Sequence, residues 1–335
     1  MRNAPYSGWA WRLAIVAALL GVVFLWTGAG AGVATRDFSV VVIPDPQHYA
    51  SLFPAIGIAQ TQWIRSNVAK LRIQFVTCVG DCIDDGASDA QWKQSAEFMH
   101  QLDDVVPFGV ACGNHDLMDG KGGFTSRKFL DHYGLQRFKK YKWYGGASAS
   151  GFSSCQRFSG GGYNFLAIAL KVDPSAEEIA WAKKVMAANA KMPVILTTHQ
   201  FLTPQGGLGE GLVVREPGGL KPGEVWDRLV KNSPQIFMVL CGHYHGEAYL
   251  AKKNEAGQDV HVILQDYQND ENGGNGWLRI IGFHPDKGQI EVQTYSPTLK
   301  QYQTGPKSAF SFDFDFMRLA PPAPSTLLRA GKVGG

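Results

Sequence analysis

The chain has 335 residues, 45% of them hydrophobic and 18% charged, so it reads as globular, long enough for one large domain or two small ones with a real core. Thirty-two basic against twenty-nine acidic residues give a net charge of only +3, which argues against a polyanion-binding face.

In chain order, the first feature is the uncharged run of residues 13–26, Leu-Ala-Ile-Val-Ala-Ala-Leu-Leu-Gly-Val-Val-Phe-Leu-Trp, behind Arg2 and Arg12 and ahead of Gly28-Ala-Gly-Ala-Gly-Val-Ala34. Basic residues, an apolar core and small residues follow one another as in a secretory signal, with cleavage near Ala31 or Ala34. The alternative is an uncleaved anchor, since residues 13–34 carry no charge and are flanked by Trp9, Trp11 and Trp26. Both place the bulk of the protein outside the cytoplasm, secreted or periplasmic in the first case and membrane-anchored in the second. Loss of Arg2 and Arg12 would leave 30 basic against 29 acidic residues, or +1.

After this segment, apolar runs that read as strands (residues 38–44, 73–79, 105–112, 164–170, 194–198 and 235–241) alternate with segments of helical spacing (58–70, 89–102, 175–190 and 223–230). Such alternation predicts an α/β sheet core with helices outside. Beyond Gly246 shorter runs at 260–265, 277–283, 289–295 and 309–316 predict antiparallel strands, with Asp286-Lys-Gly288 as a hairpin turn. No linker or repeat separates the parts, so residues 35–318 are expected to form one composite domain and residues 319–335 a disordered Pro-rich tail. The stretches 145–162 and 203–223 are expected to be surface excursions. Cys78, Cys82, Cys112 and Cys241 lie in or beside apolar runs, and an odd total of five cysteines cannot pair completely, so buried free thiols are the expectation.

Five of these strands end in residues that bind metals or move protons: Asp45-Pro-Gln-His48, Gly80-Asp-Cys-Ile-Asp-Asp85, Gly113-Asn-His-Asp116, Thr197-Thr-His199 and Gly242-His-Tyr-His245. Singly, each is ordinary: Gly-Asp is a turn or cap, Asn-His-Asp a polar loop, His199 a satisfied core histidine. Together they are not, because ligands of open α/β sheets bind at the carboxyl ends of strands, so five such ends should converge on one crevice.

The order and spacing of these blocks resemble the calcineurin-like metallophosphoesterase superfamily, whose blocks run Asp-x-His, Gly-Asp-x-x-Asp, Gly-Asn-His-Asp/Glu, a lone His, and Gly-His-x-His. All but the first match, over about residues 38–295. The resemblance implies a four-layer α/β/β/α sandwich and two divalent ions, Mn, Fe or Zn. It makes Asp81 the bridging carboxylate, Asn114, His199 and His243 the other ligands of one ion, and Asp45 and His245 ligands of its partner. It makes His115 the acid-base residue, with Asp116 placed to hold its ring. The implied reaction is hydrolysis of a phosphomonoester or phosphodiester by a hydroxide bridging the two ions, which also clamp the attacking and leaving oxygens.

The departure is Gln47, which stands where the family has histidine. Pro46 biases Asp45 towards an extended backbone, where residues i and i+2 share a side, and this pairs Asp45 with Gln47 and turns His48 away. Gln47 is then the expected ligand through its amide oxygen, a donor that favours Mn, Fe or Mg over Zn. A small phosphorylated substrate is the expected partner, nucleic acid is not, and a membrane is expected only through residues 1–34. Two rivals stand beside this reading: a binding or regulatory protein that kept the scaffold, and an exported nuclease, which the near-zero charge disfavours.

Overall fold

The computed structural model describes residues 36–319. The expected leader (1–34) lies outside the described residues, as does the expected tail except for Leu319, which is buried.

Two seven-stranded sheets form the core. The first contains β1 (Phe38–Ile43), β2 (Ile73–Cys78), β3 (Phe108–Val110), β11 (Leu278–His284), β12 (Gln289–Ser296), β13 (Gln301–Gln303) and β14 (Ala309–Asp313). Its order is β13-β12-β11-β1-β2-β3, with β14 also on β12. The second contains β4 (Tyr144–Ala147), β5 (Ser154–Gly160), β6 (Tyr163–Leu170), β7 (Val194–Gln200), β8 (Ile236–Gly242), β9 (Gly246–Lys253) and β10 (Asp259–Asp266). They run β4-β5-β6-β7-β8-β10-β9.

Burial on both faces explains why the central strands read as continuous apolar runs. Along β1, Val41 and Ile43 pack among Ile64, Trp92 and Phe98 of the outer helices, while Val40 and Val42 pack against Phe165, Ile195 and Phe237 of the other sheet. The helices concerned are α2 (Pro54–Asn67) and α3 (Asp89–Met99). Proline at its start favours α2, and Ser88 caps α3 by accepting from the Gln91 N–H. On the far side, α6 (Ala176–Ala188), capped by Ser175, and α7 (Pro222–Val225), continued by a π-helical turn to Val230, cover β6 to β8 through Ile179, Leu229 and Trp226. This is the expected α/β/β/α layering.

Three expectations are corrected. Residues 145–162 are no surface excursion: they hold most of β4 and β5, an antiparallel pair at the sheet edge that buries Cys155 and Phe158. Glycine and serine masked the strand alternation, and Gly145 is small because a Cβ there would sit 2.6 Å from the Cys155 sulfur. The run 105–112 shrinks to β3, because Val105 and Val106 donate to Leu102 in a turn and Pro107 has no N–H to give. The chain after Pro46 is not extended. It turns at once into the short helix α1 (Gln47–Ser51), where Tyr49 and Ala50 donate to the Pro46 carbonyl. Two further short helices are α4 (Lys128–Tyr133) and α5 (Leu135–Phe138). All five cysteines are buried and free. Trp92 is core, and Trp63 packs partly buried on Tyr295.

Candidate metal centre

The strand ends of the two sheets meet. Asp81, one turn beyond β2, adopts φ +50° after Gly80 at φ +106°. A Cβ on Gly113 would stand 2.1 Å from the Asp81 carboxylate, and one on Gly80 would stand 2.9 Å from His199, so two glycines permit the approach. Asp81 Oδ2 then lies 3.0 Å from His199 Nε2 of the facing sheet, and Oδ1 accepts the His115 N–H at 2.8 Å. His199 Nδ1 lies 3.0 Å from the Val79 carbonyl, which turns Nε2 towards Asp81, Asn114 Oδ1 (3.1 Å) and His243 Nδ1 (3.3 Å). One ligand atom each from Asp81, His199 and His243 falls within 4.8 Å of the others. Asn114 touches this group through His199.

Neither Asp45 nor His245 belongs to that group. Asp45 is 2% exposed and neither carboxylate oxygen has a hydrogen-bond partner; Gln47 Oε1 and His48 Nδ1 are also buried without one. His48 packs its Cβ where Gly273 leaves space, against the loop of left-handed residues Asn272 to Gly276. That loop is a seat for α1: the Tyr49 hydroxyl accepts from the Gly276 N–H. His245 is half-exposed, with Nε2 3.4 Å from Asp270 Oδ1.

Charges follow burial and neighbours. Burial raises Asp45 well above the usual carboxylate range, and the charges of Asp266 and Asp81 add to this. Burial alone would raise Asp81 too, but His199 overrides it and holds it low. Burial would lower His199, but Asp81 lifts it to about 9. Burial and the charge of His199 press His243 down to about 4, leaving it neutral.

His115 opens a 3-10 turn, His115–Leu117. The expected orienting role of Asp116 is not what the hydrogen bonds show. Asp116, fully buried, accepts from the N–H groups of Cys82 and Gly113, both at 2.8 Å, and so ties the two ligand loops together. The His115 ring meets Asp84 instead: its Nδ1 lies 2.5 Å from the Asp84 carbonyl and 3.7 Å from Oδ1. In a 3-10 turn His115 and Asp116 project to different sides, which sequence adjacency conceals.

A model of the "Calcineurin-like phosphoesterase" family matches residues 38–247. The chain belongs to that family. Its relatives include YvnB of Bacillus subtilis (strain 168), 33% identical over 293 residues; the match covers 83% of this chain but only 22% of YvnB. Among solved structures, purple acid phosphatase PPD1 from yellow lupin (Lupinus luteus) seeds is 13% identical with a TM-score of 0.52, over 87% of this chain and 57% of that one. A dimetal phosphatase from Danio rerio is 11% identical with a TM-score of 0.49, over 83% and 99% respectively.

For this calcineurin-like phosphoesterase family member, sequence reading missed three acids beside the site: Asp84, Asp266 and Asp270. Asp84 is the second aspartate of Gly-Asp-x-x-Asp, so its motif was in view. Asp266 ends the apolar strand β10, the same signal that flagged the other five, but in a region that read as plain antiparallel sheet.

The electrostatics predict how the metal-free protein responds to pH. Burial and Asp81 push Asp116 up to about 7, and His199 stands at about 9. Both folded values exceed the unfolded ones, 3.8 and 6.5, so the folded protein holds protons that the unfolded chain releases. The stability each contributes is complete below its unfolded value and lost as pH rises through its folded value. His243 and His261, both held near 4, act in the opposite sense only below 6.5. The denaturation midpoint of chelator-stripped protein should therefore fall between pH 6.5 and 9. A midpoint that rises over this window would refute the protonated His199–Asp81 pair. A cation must displace that proton, so its affinity should climb over the same window.

Proposed function

We propose that the chain is an exported metal-dependent phosphoesterase that hydrolyses a small phosphomonoester or phosphodiester and uses two divalent ions. The observation that carries this reading is the meeting of Asp81, His199 and His243 within 4.8 Å beside a buried Asp45 carboxylate whose oxygens have no partner. Buried acceptors are normally satisfied, and a cation would satisfy these. The donor set fits: Asp81, Asn114, His199 and His243 would hold one ion, and Asp45, Gln47 and His245, sharing Asp81, the other. Mixed imidazole and oxygen donors suit Mn, Fe or Zn.

Bound ions of this kind acidify water and neutralise phosphoryl charge. The remaining work falls to the chain. Asp81 would offset the repulsion between two cations held there. His115, held at Nδ1 by the Asp84 carbonyl, offers its other nitrogen to protonate the leaving oxygen. Tyr244, whose ring lies against His243 at 4.8 Å and whose hydroxyl accepts from Gln200, borders the site, and Gly209 of the 203–223 loop approaches that hydroxyl. Export rests on residues 13–34 alone.

One experiment tests the whole reading on secreted material. Its N-terminus should begin near Gly32 or Thr35. Elemental analysis after Mn loading should give about two ions per chain, and nitrophenyl phosphate or bis(nitrophenyl) phosphate should be turned over only in the loaded form. Two ions without turnover of either ester would leave a binding protein on this scaffold. Full activity of chelator-stripped protein would end the metal reading.

A further inference from the structure

The loop that carries Asp84 runs into α3, and its hydrogen bonds converge on the first turn of that helix. Ser88 caps α3, and Gln91 completes the Ser-x-x-Gln pattern in which the amide ordinarily reaches back to the cap's own N–H. Here it does not. The Ser88 N–H donates to the Asp85 carbonyl at 2.9 Å, and Gln91 Oε1 accepts instead the N–H groups of Asp84 and Asp85, both at 2.9 Å. Beside it, Trp92 Nε1 donates to the Gly86 carbonyl at 2.9 Å and Lys128 Nζ to the Ala87 carbonyl at 2.7 Å. Gly86 has no room for a side chain, since a Cβ would stand 2.2 Å from the Met118 carbonyl oxygen and 2.7 Å from that of His115. The loop is therefore fixed against both α3 and the turn that carries His115.

The Asp85 N–H and the Asp84 carbonyl belong to one peptide group. That group is planar and trans, so its N–H and C=O point in opposite directions, and a partner that fixes one aims the other. Gln91 holds the N–H end at 2.9 Å, and His115 Nδ1 lies 2.5 Å from the carbonyl at the other end. A carbonyl only accepts, so Nδ1 carries the hydrogen and Nε2 is left as the working nitrogen of the ring. Chained hydrogen bonds polarise one another, so the Gln91 oxygen strengthens the acceptor that the imidazole meets. The Asp84 carboxylate, 40% exposed and 3.7 Å from Nδ1, is the looser partner.

We infer that Gln91 is a positioning residue for proton transfer by His115: through the Asp84–Asp85 peptide it holds the imidazole as the Nδ1–H tautomer, with Nε2 free to pass a proton to the leaving oxygen. This rests on the acid-base role given to His115 above. Gln91 acts only through that peptide. Without its oxygen the Asp85 N–H loses its acceptor, and the peptide is free to turn its carbonyl away from Nδ1. Helix capping alone accounts for a glutamine at this position. It does not account for an amide oxygen that passes over the Ser88 N–H to reach the peptide behind His115.

Two measurements on the full chain test this. In chelator-stripped protein, NMR of the imidazole nitrogens reads the tautomer of the neutral His115 ring, whose signals are identified by their loss in His115→Ala. Wild type should show the Nδ1–H form, and Gln91→Met, which keeps the length of the side chain without its acceptor, a mixture with the Nε2–H form. Gln91→Glu keeps an accepting oxygen and should return the wild-type spectrum. In Mn-loaded protein, Gln91→Met should lower kcat for an alkyl phosphate ester by about tenfold, the scale of one lost hydrogen bond, with KM and metal content unchanged. The loss should be smaller for a nitrophenyl ester, and Gln91→Glu should recover it. In a His115→Ala background Gln91→Met should cost nothing further, as for two residues acting through one step. Circular dichroism checks folding, and Gln91→Ala carries the same expectations if Gln91→Met does not fold. An unchanged tautomer in the folded variant, or the same loss of turnover with and without His115, would overturn the inference and leave the acid-base role of His115 intact. Wild-type turnover in His115→Ala would overturn that role and this inference with it.

Discussion

Asp81→Asn should empty the metal centre and lower turnover by on the order of 10³-fold, since loss of the ions forfeits several kcal/mol of transition-state stabilisation. No other side chain is as central. It is 1% exposed, one oxygen faces His199 at 3.0 Å and the other holds the His115 N–H at 2.8 Å. The substitution keeps the shape and removes the charge that holds His199 near 9 and that would offset two cations. Metal content by elemental analysis should fall well below that of wild type, and His199 should titrate at lower pH by NMR. Retention of both ions with near-normal turnover would show that Asp81 bridges nothing.

His115→Ala should cut turnover by roughly a hundredfold or more while metal content stays unchanged, as for an acid-base residue outside the ligand set. The structure supports this separation. Asp81, His199 and His243 cluster without the His115 ring, whose Nδ1 is engaged by the Asp84 carbonyl. Only its backbone N–H touches Asp81. An ester with a very good leaving group needs little protonation, so nitrophenyl esters should lose less than alkyl esters. Metal loss in His115→Ala comparable to that in His243→Ala would make His115 a ligand.

Local information sufficed for much of this protein. Apolar runs buried on both faces, such as Val40 to Ile43, announce central strands, and Pro54, Ser88 and Ser175 mark helix starts through the physics of the first turn. The five polar strand ends were legible because strand ends in open α/β sheets collect ligands. Family membership was legible from Gly-Asn-His-Asp and Gly-His-Tyr-His in order.

What sequence could not supply depends on contacts between distant residues. The chain after Pro46 forms the helix α1, seated on the loop around Gly273 more than 200 positions away, in place of the extended backbone that local preference favours. Asp84 and not Asp116 meets the His115 ring because the 3-10 turn rotates neighbouring side chains apart. By itself the sequence determined the central strands, their polar ends and the chemistry those ends carry. Only the tertiary structure decided which side chains share a charge, because burial and partnership belong to pairs brought together from both sheets and neither sheet holds them alone.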